Sequence, residues 1–137
     1  MAEATAALAT QLLAEFLAVV SSFPEASAAL DAAVERAALA LEAEVAAVVR
    51  DGQASTCVGF PFLAIPHTEL ARIAGGETST LDIPGAGRSA AVAVPLRGSI
   101  EGHLVVARSG PDPFTGEEVN LLRGMARVME LTFEMLR

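Results

Sequence analysis

The spacing of apolar and polar positions changes several times along this chain, and each change marks an element. Residues Ala2 to Val20 contain no Gly or Pro and place Leu8, Leu12, Phe16 and Val19 on one stripe, with Leu13, Leu17 and Val20 beside it. That spacing predicts a helix whose apolar face is wider than a single core contact requires. Ser21-Ser22-Phe23-Pro24 breaks it. A second helix is expected from about Ala26 to Glu42, with Leu30, Val34, Ala37, Ala38 and Leu41 on its buried side. Glu44 to Arg50 turns β-branched and ends at Asp51-Gly52, a strong hairpin signal, so Ala54 to Phe60 is expected to return as the partner strand. Pro61 and Pro66 bracket a loop, His67 to Ala74 reads as a short helix stopped by Gly75-Gly76, and Thr78 to Ile83 as a strand. After Pro84-Gly85-Ala86-Gly87, the run Ala90 to Leu96 is a buried strand, Arg97-Gly98-Ser99 a hairpin turn, and Ile100 to Arg108 the returning strand.

The last helix has the clearest start. Thr115 stands three residues before Glu118, the spacing of a capping box, with Phe114 and Val119 at the staple positions and Glu117 and Glu118 in the first turn. From Gly116 to Leu136 one side carries Val119, Leu122, Met125 or Ala126, Met129, Phe133 and Leu136, and another Leu121, Val128, Leu131 and Met135. One face can cover a sheet; the second needs another partner. The chain stops inside this apolar helix, which suits a module cut from a longer protein or a domain that buries this end in a dimer. The order of helices and strands predicts an α+β fold with an antiparallel sheet.

Composition narrows the function more than the fold. The 137 residues suffice for one domain with one substantial core. The chain is 53% hydrophobic, with alanine carrying much of that, and no run approaches a membrane span or a signal peptide. Net charge is −8, and all nine basic residues are arginines that form no phosphate-tracking stripe, which argues against nucleic acid. One cysteine, Cys57, allows no internal disulfide and suits a reducing cytoplasm. An enzyme needs a nucleophile, base and orienter, or a metal cluster. One cysteine and two histidines, His67 and His103, offer no such set and no zinc or haem spacing, so the reading is non-catalytic and metal-free. Gly85-Ala86-Gly87-Arg88 is no phosphate loop, since neither a helix start nor a lysine follows.

In order and spacing, Val94-Pro95-Leu96, Gly102 with Leu104, and Pro113-Phe114-Thr115 followed by Glu118 and Leu121-Leu122 resemble the closing half of a GAF domain. The element order resembles that fold over nearly the full length. A PAS domain lacks this closing signature, and a Roadblock-type domain explains Arg50-Asp51-Gly52 but not the final helix. The resemblance implies a single domain, residues 1–137, with an antiparallel sheet of five to six strands. The N- and C-terminal helices would pack on one face, and a short helix plus loops would cover the other. Residues 1–22 would be a dimerisation helix, 23–114 the sheet and pocket region, and 115–137 a signalling and dimerisation helix.

The resemblance also implies a regulatory, ligand-sensing role in a cytoplasmic signalling protein, with a small molecule, a homodimer and a fused or separate output domain as partners. A high-GC bacterial source suits the alanine-rich, lysine-free composition. The implied pocket lies between the sheet and the 60–83 segment. Its candidate lining is Phe60, Phe62, Leu63, Ile65, Leu70, Ile73, Leu81 and Ile83, with Cys57, His67 and Arg88 as polar members. The same residues read equally well as filled core. Known ligand classes of the family fit poorly. The single cysteine opposes methionine sulfoxide reduction, the absence of lysine opposes the cyclic-nucleotide signature, and Val58 in place of a histidine after Cys57 opposes covalent bilin attachment. Haem ligation by His67 or His103 is not favoured. Leu8, Leu12, Phe16, Met125, Met129 and Leu136 are the candidates for a dimer interface, which would also suit a ligand-free scaffolding module.

Overall fold

The computed structural model describes residues 2–60, 64–110 and 112–136, with side chains described from residue 7 onward. Helix α1 (Ala2–Val20) and α2 (Ala26–Ala40) precede the hairpin β1 (Val45–Arg50) and β2 (Gln53–Val58). Helix α3 (His67–Ala74), β3 (Thr80–Ile83), β4 (Gly87–Leu96) and β5 (Gly102–Ser109) follow, and α4 (Gly116–Met135) closes the chain. The strands form one sheet in the order β2-β1-β5-β4-β3, antiparallel throughout. This is the expected α+β arrangement, with five strands.

The two central strands explain the continuous apolar runs in the sequence. Every residue from Val45 to Val49 and from Leu104 to Ala107 is buried, because both faces of the sheet are covered. On one face Ala46, Val48, Val94, Leu96, Leu104 and Val106 meet the helices α2 and α4. On the other Val45, Ala47, Val49, Ala91, Val105 and Ala107 meet α3 and the β3 side chains Leu81 and Ile83. Small residues on β1 and α2 bring helix and sheet close; Ala29, Ala33 and Ala37 are fully buried. Helix α1 packs on α2 and α4 rather than directly on the sheet, which accounts for its wide apolar face.

Local chemistry sets the ends of α4. Thr115 Oγ1 accepts from the Glu118 amide at 3.1 Å, and Glu118 Oε1 accepts from the Thr115 amide at 2.9 Å, which completes the capping box. Glu118 also takes both guanidinium nitrogens of Arg108 at the end of β5, and Arg108 reaches the Leu41 carbonyl at 3.2 Å and lies over the Phe114 ring at 4.3 Å. One half-buried arginine thus ties β5 to the start of α4 and the end of α2. Nearby, Glu44 accepts from the Ser109 amide at 2.7 Å and the Ser109 hydroxyl at 2.8 Å, and these bonds hold its carboxyl below the usual range.

The connection between β4 and β5 departs from the expected hairpin. Gly98–Ile100 forms a 3-10 turn, β5 begins only at Gly102, and Ile100 is turned into the helix-side core at 3% exposure. Burying a large apolar residue outweighs continuing the strand by two residues.

Candidate functional site

The sheet face under α3 is where the pocket was expected. Leu70 and Ile73 recur at helical spacing on α3 and are buried on the sheet, and Leu81 and Ile83 alternate along β3 onto the same cluster. Phe60 and Cys57 pack at its margin, half-buried. The structure therefore brings Cys57, Phe60, Leu70, Ile73, Leu81 and Ile83 together, as packed core. Phe62 and Leu63 lie outside the described residues.

The polar candidates do not converge on that core. His67 is exposed, and its Nδ1 accepts from the Ala54 amide at 3.1 Å, which places the ring proton on Nε2 and ties the start of α3 to β2. Arg88 is exposed and donates to Thr80 Oγ1 across the β3–β4 pair at 3.3 Å. Burial pushes the Cys57 thiol up, which disfavours the nucleophilic thiolate. Among the described residues, no three His, Cys, Asp or Glu side chains are grouped to hold a metal ion.

Open space lies instead at the end of the sheet where the 51–52 and 97–101 turns sit side by side. The register pairs Val49 with His103, so antiparallel β1 and β5 place these two turns together. A polar cleft of about 640 Å³ lies on the α3 side, lined among others by Arg50, Asp51, Gly75, Ser99, Glu101 and His103. A second cleft of about 360 Å³ lies on the helix side, lined by Leu30, Arg50, Ser99, Ile100, Phe133 and Leu136 together with Ala26 and Ser27. None of the described pocket candidates lines either cleft. The sequence carried a signal for them: two Arg-containing turns, Arg50-Asp51-Gly52 and Arg97-Gly98-Ser99, one of which supplies Arg50 and the other Ser99. Turn chemistry alone does not say that the two meet.

The dimer candidates divide. Phe16, Met125 and Met129 are 2%, 0% and 0% exposed inside the helix-side core, so they are corrected from interface to core: α1, α2 and α4 cover one another and leave these side chains nothing to offer a second copy. Leu12 and Leu136 pack half-buried against the same core. Leu8 remains on the surface at 55% exposure, joined by Leu17 on α1 and by Leu131 and Met135 on α4.

No protein-family model matches the chain, and no curated protein does. Solved structures match its fold closely. The GAF domain of an Acinetobacter phosphoenolpyruvate-protein phosphotransferase is 14% identical, with a TM-score of 0.66 over 92% of this chain and 92% of that one. The GAF domain of a protein assigned as a sensor histidine kinase in Pseudomonas syringae pv. tomato is 19% identical, with a TM-score of 0.68 over 97% of this chain and 90% of that one. The GAF domain of a Coxiella burnetii phosphoenolpyruvate-protein phosphotransferase is 16% identical, with a TM-score of 0.68 over 95% of each. The chain has the GAF fold.

Proposed function

We propose that this chain is a non-catalytic regulatory domain of a cytoplasmic bacterial signalling protein, which senses a small molecule and passes its state through α1 and α4 to a second copy and an output domain. The observation that carries this reading is the GAF fold, shared over at least nine-tenths of the chain with domains of a sensor kinase and of phosphotransferases. Two features of the molecule support it. Clefts of small-molecule size open at one end of the sheet. Both terminal helices also expose apolar side chains, Leu8 and Leu17 on one and Leu131 and Met135 on the other, as a paired helical interface requires.

The test combines native mass spectrometry with a thermal-shift screen of soluble metabolites. A dimer that carries or acquires one ligand per chain supports the sensor. A second reading, a ligand-free dimerisation module, draws on the packed state of the α3-side core. An empty dimer that no metabolite stabilises would replace the first reading with the second.

A further inference from the structure

The two clefts at the turn end of the sheet share two residues, Arg50 and Ser99. Arg50 is the last residue of β1, and its stem crosses the chain at Gly102. A Cβ at 102 would stand 2.8 Å from Arg50 Cγ and 2.5 Å from the Val49 carbonyl oxygen, so only glycine there lets the arginine lie along this path. Among the described residues the Arg50 guanidinium has no hydrogen bond or ion pair. Ser99 Oγ is buried with no hydrogen-bond partner among the same residues. A buried hydroxyl without a partner is unfavourable, and a ligand group held by the exposed Arg50 guanidinium relieves it once the hydroxyl turns toward the cleft.

The helix-side cleft defines that group. Its walls are Leu30, Ile100, Phe133 and Leu136, and its volume of about 360 Å³ falls in the range of small-molecule sites. Helix α2 starts beside it; the N-cap residue Glu25 makes no side-chain cap bond, and no acidic residue follows in the first turn. Beyond Glu25 itself, no carboxylate in the first turn of α2 opposes an incoming anion. A cation would face Arg50, and a polyanion would find one charge and apolar walls. A planar carboxylate matches the guanidinium fork and accepts from the serine hydroxyl, while a hydrocarbon body covers the apolar wall.

We propose that this groove binds a small amphipathic monocarboxylate, its head on Arg50 and Ser99 and its apolar body against Leu30, Phe133 and Leu136. The inference deepens the sensor reading and rests on it for one consequence: Phe133 and Leu136 belong to the last turn of α4 and its cap, so an occupied groove bears on the end of that helix.

The experiment is calorimetric titration of the full chain with octanoate, with octylamine, octanol and acetate as probes of charge and body. Octanoate is expected to bind at one saturable site per chain. Octylamine, octanol and acetate should each bind at least tenfold more weakly. Arg50→Gln should weaken octanoate roughly ten- to hundredfold, the worth of a lost charge-assisted pair. Gly102→Ala, which displaces the Arg50 stem, should weaken it as well. Amide shifts on octanoate binding should fall on residues 99–100 and 133–136. No saturable octanoate binding, or binding that Arg50→Gln leaves unchanged, overturns the assignment. The sensor reading is scored separately. A metabolite that stabilises the Arg50→Gln protein as well as the parent keeps the sensor and assigns the sensed ligand to another site, which overturns the link between this groove and sensing.

Discussion

Replacing Glu118 should expose how much of the fold hangs on the clasp between β5 and α4. Its carboxylate takes both guanidinium nitrogens of Arg108 and the Thr115 amide, with its side chain 24% exposed. Arg108 first, then the Thr115 amide, hold its pKa at about 2 against an ordinary 4.5. That displacement corresponds to roughly 3 kcal/mol of folded-state preference for the charged form. Solvent around a quarter-exposed side chain reduces it to about 2 kcal/mol. Because the folded pKa is depressed, this stabilisation is complete above pH 4.5 and drains away as the pH falls toward 2. Glu118→Gln should therefore cost about 2 kcal/mol at pH 7, and the gap from the parent should close near pH 2. Glu118→Ala also removes the reciprocal cap and should cost about 3 kcal/mol, or roughly 10 °C in Tm. The assay is urea unfolding followed by far-ultraviolet circular dichroism, since the chain has no Trp or Tyr to report by fluorescence. A cycle with Arg108→Met isolates the pair. A parent–Gln gap that does not change with pH, or a coupling below about 0.5 kcal/mol, would refute the reasoning.

Three further outcomes follow from burial and backbone geometry. Met129→Glu puts a charge into a fully buried site and should unfold the monomer, whereas Leu131→Glu, at a 63% exposed position, should leave Tm within about 2 °C and weaken any dimer; unfolding at both positions or neither would contradict the division of α4 into core and surface faces. Gly59 has φ of +101° and would place a Cβ 2.2 Å from the Glu44 carbonyl oxygen, so Gly59→Ala should destabilise the fold by more than about 2 kcal/mol in the same urea assay. The Cys57 thiol, half-buried and shifted upward by desolvation, should react with a thiol reagent at pH 7 severalfold more slowly in the native protein than in urea; equal rates would mean the strand end is open.

The elements of this protein are written within short windows. The His67–Ala74 helix, the Asp51-Gly52 turn and the Thr115–Glu118 cap all depend on residues within a few positions of one another, and each stands where its local pattern puts it. The resemblance in the closing half likewise rests on a contiguous run that becomes β4, β5 and the start of α4. Local reading failed where a second segment intervened. Ile100 looks like the first residue of a strand until the helices offer it a core position. Phe16, Met125 and Met129 look like spare apolar surface until α1, α2 and α4 cover one another. Residues 60–83 read equally well as pocket or as core, and packing against Val45, Ala47 and Val105 filled the described part.

Periodicity and capping are short-range consequences of backbone geometry, so the sequence by itself determined the helices, the existence of the strands, the Asp51-Gly52 turn and the α+β class. A cavity, an unpaired guanidinium or an orphaned hydroxyl is a property of side chains brought together from distant segments. Only the tertiary structure could set Arg50 beside Ser99 and the end of α4, because antiparallel pairing of β1 with β5 joins two turns that lie about fifty residues apart in the chain.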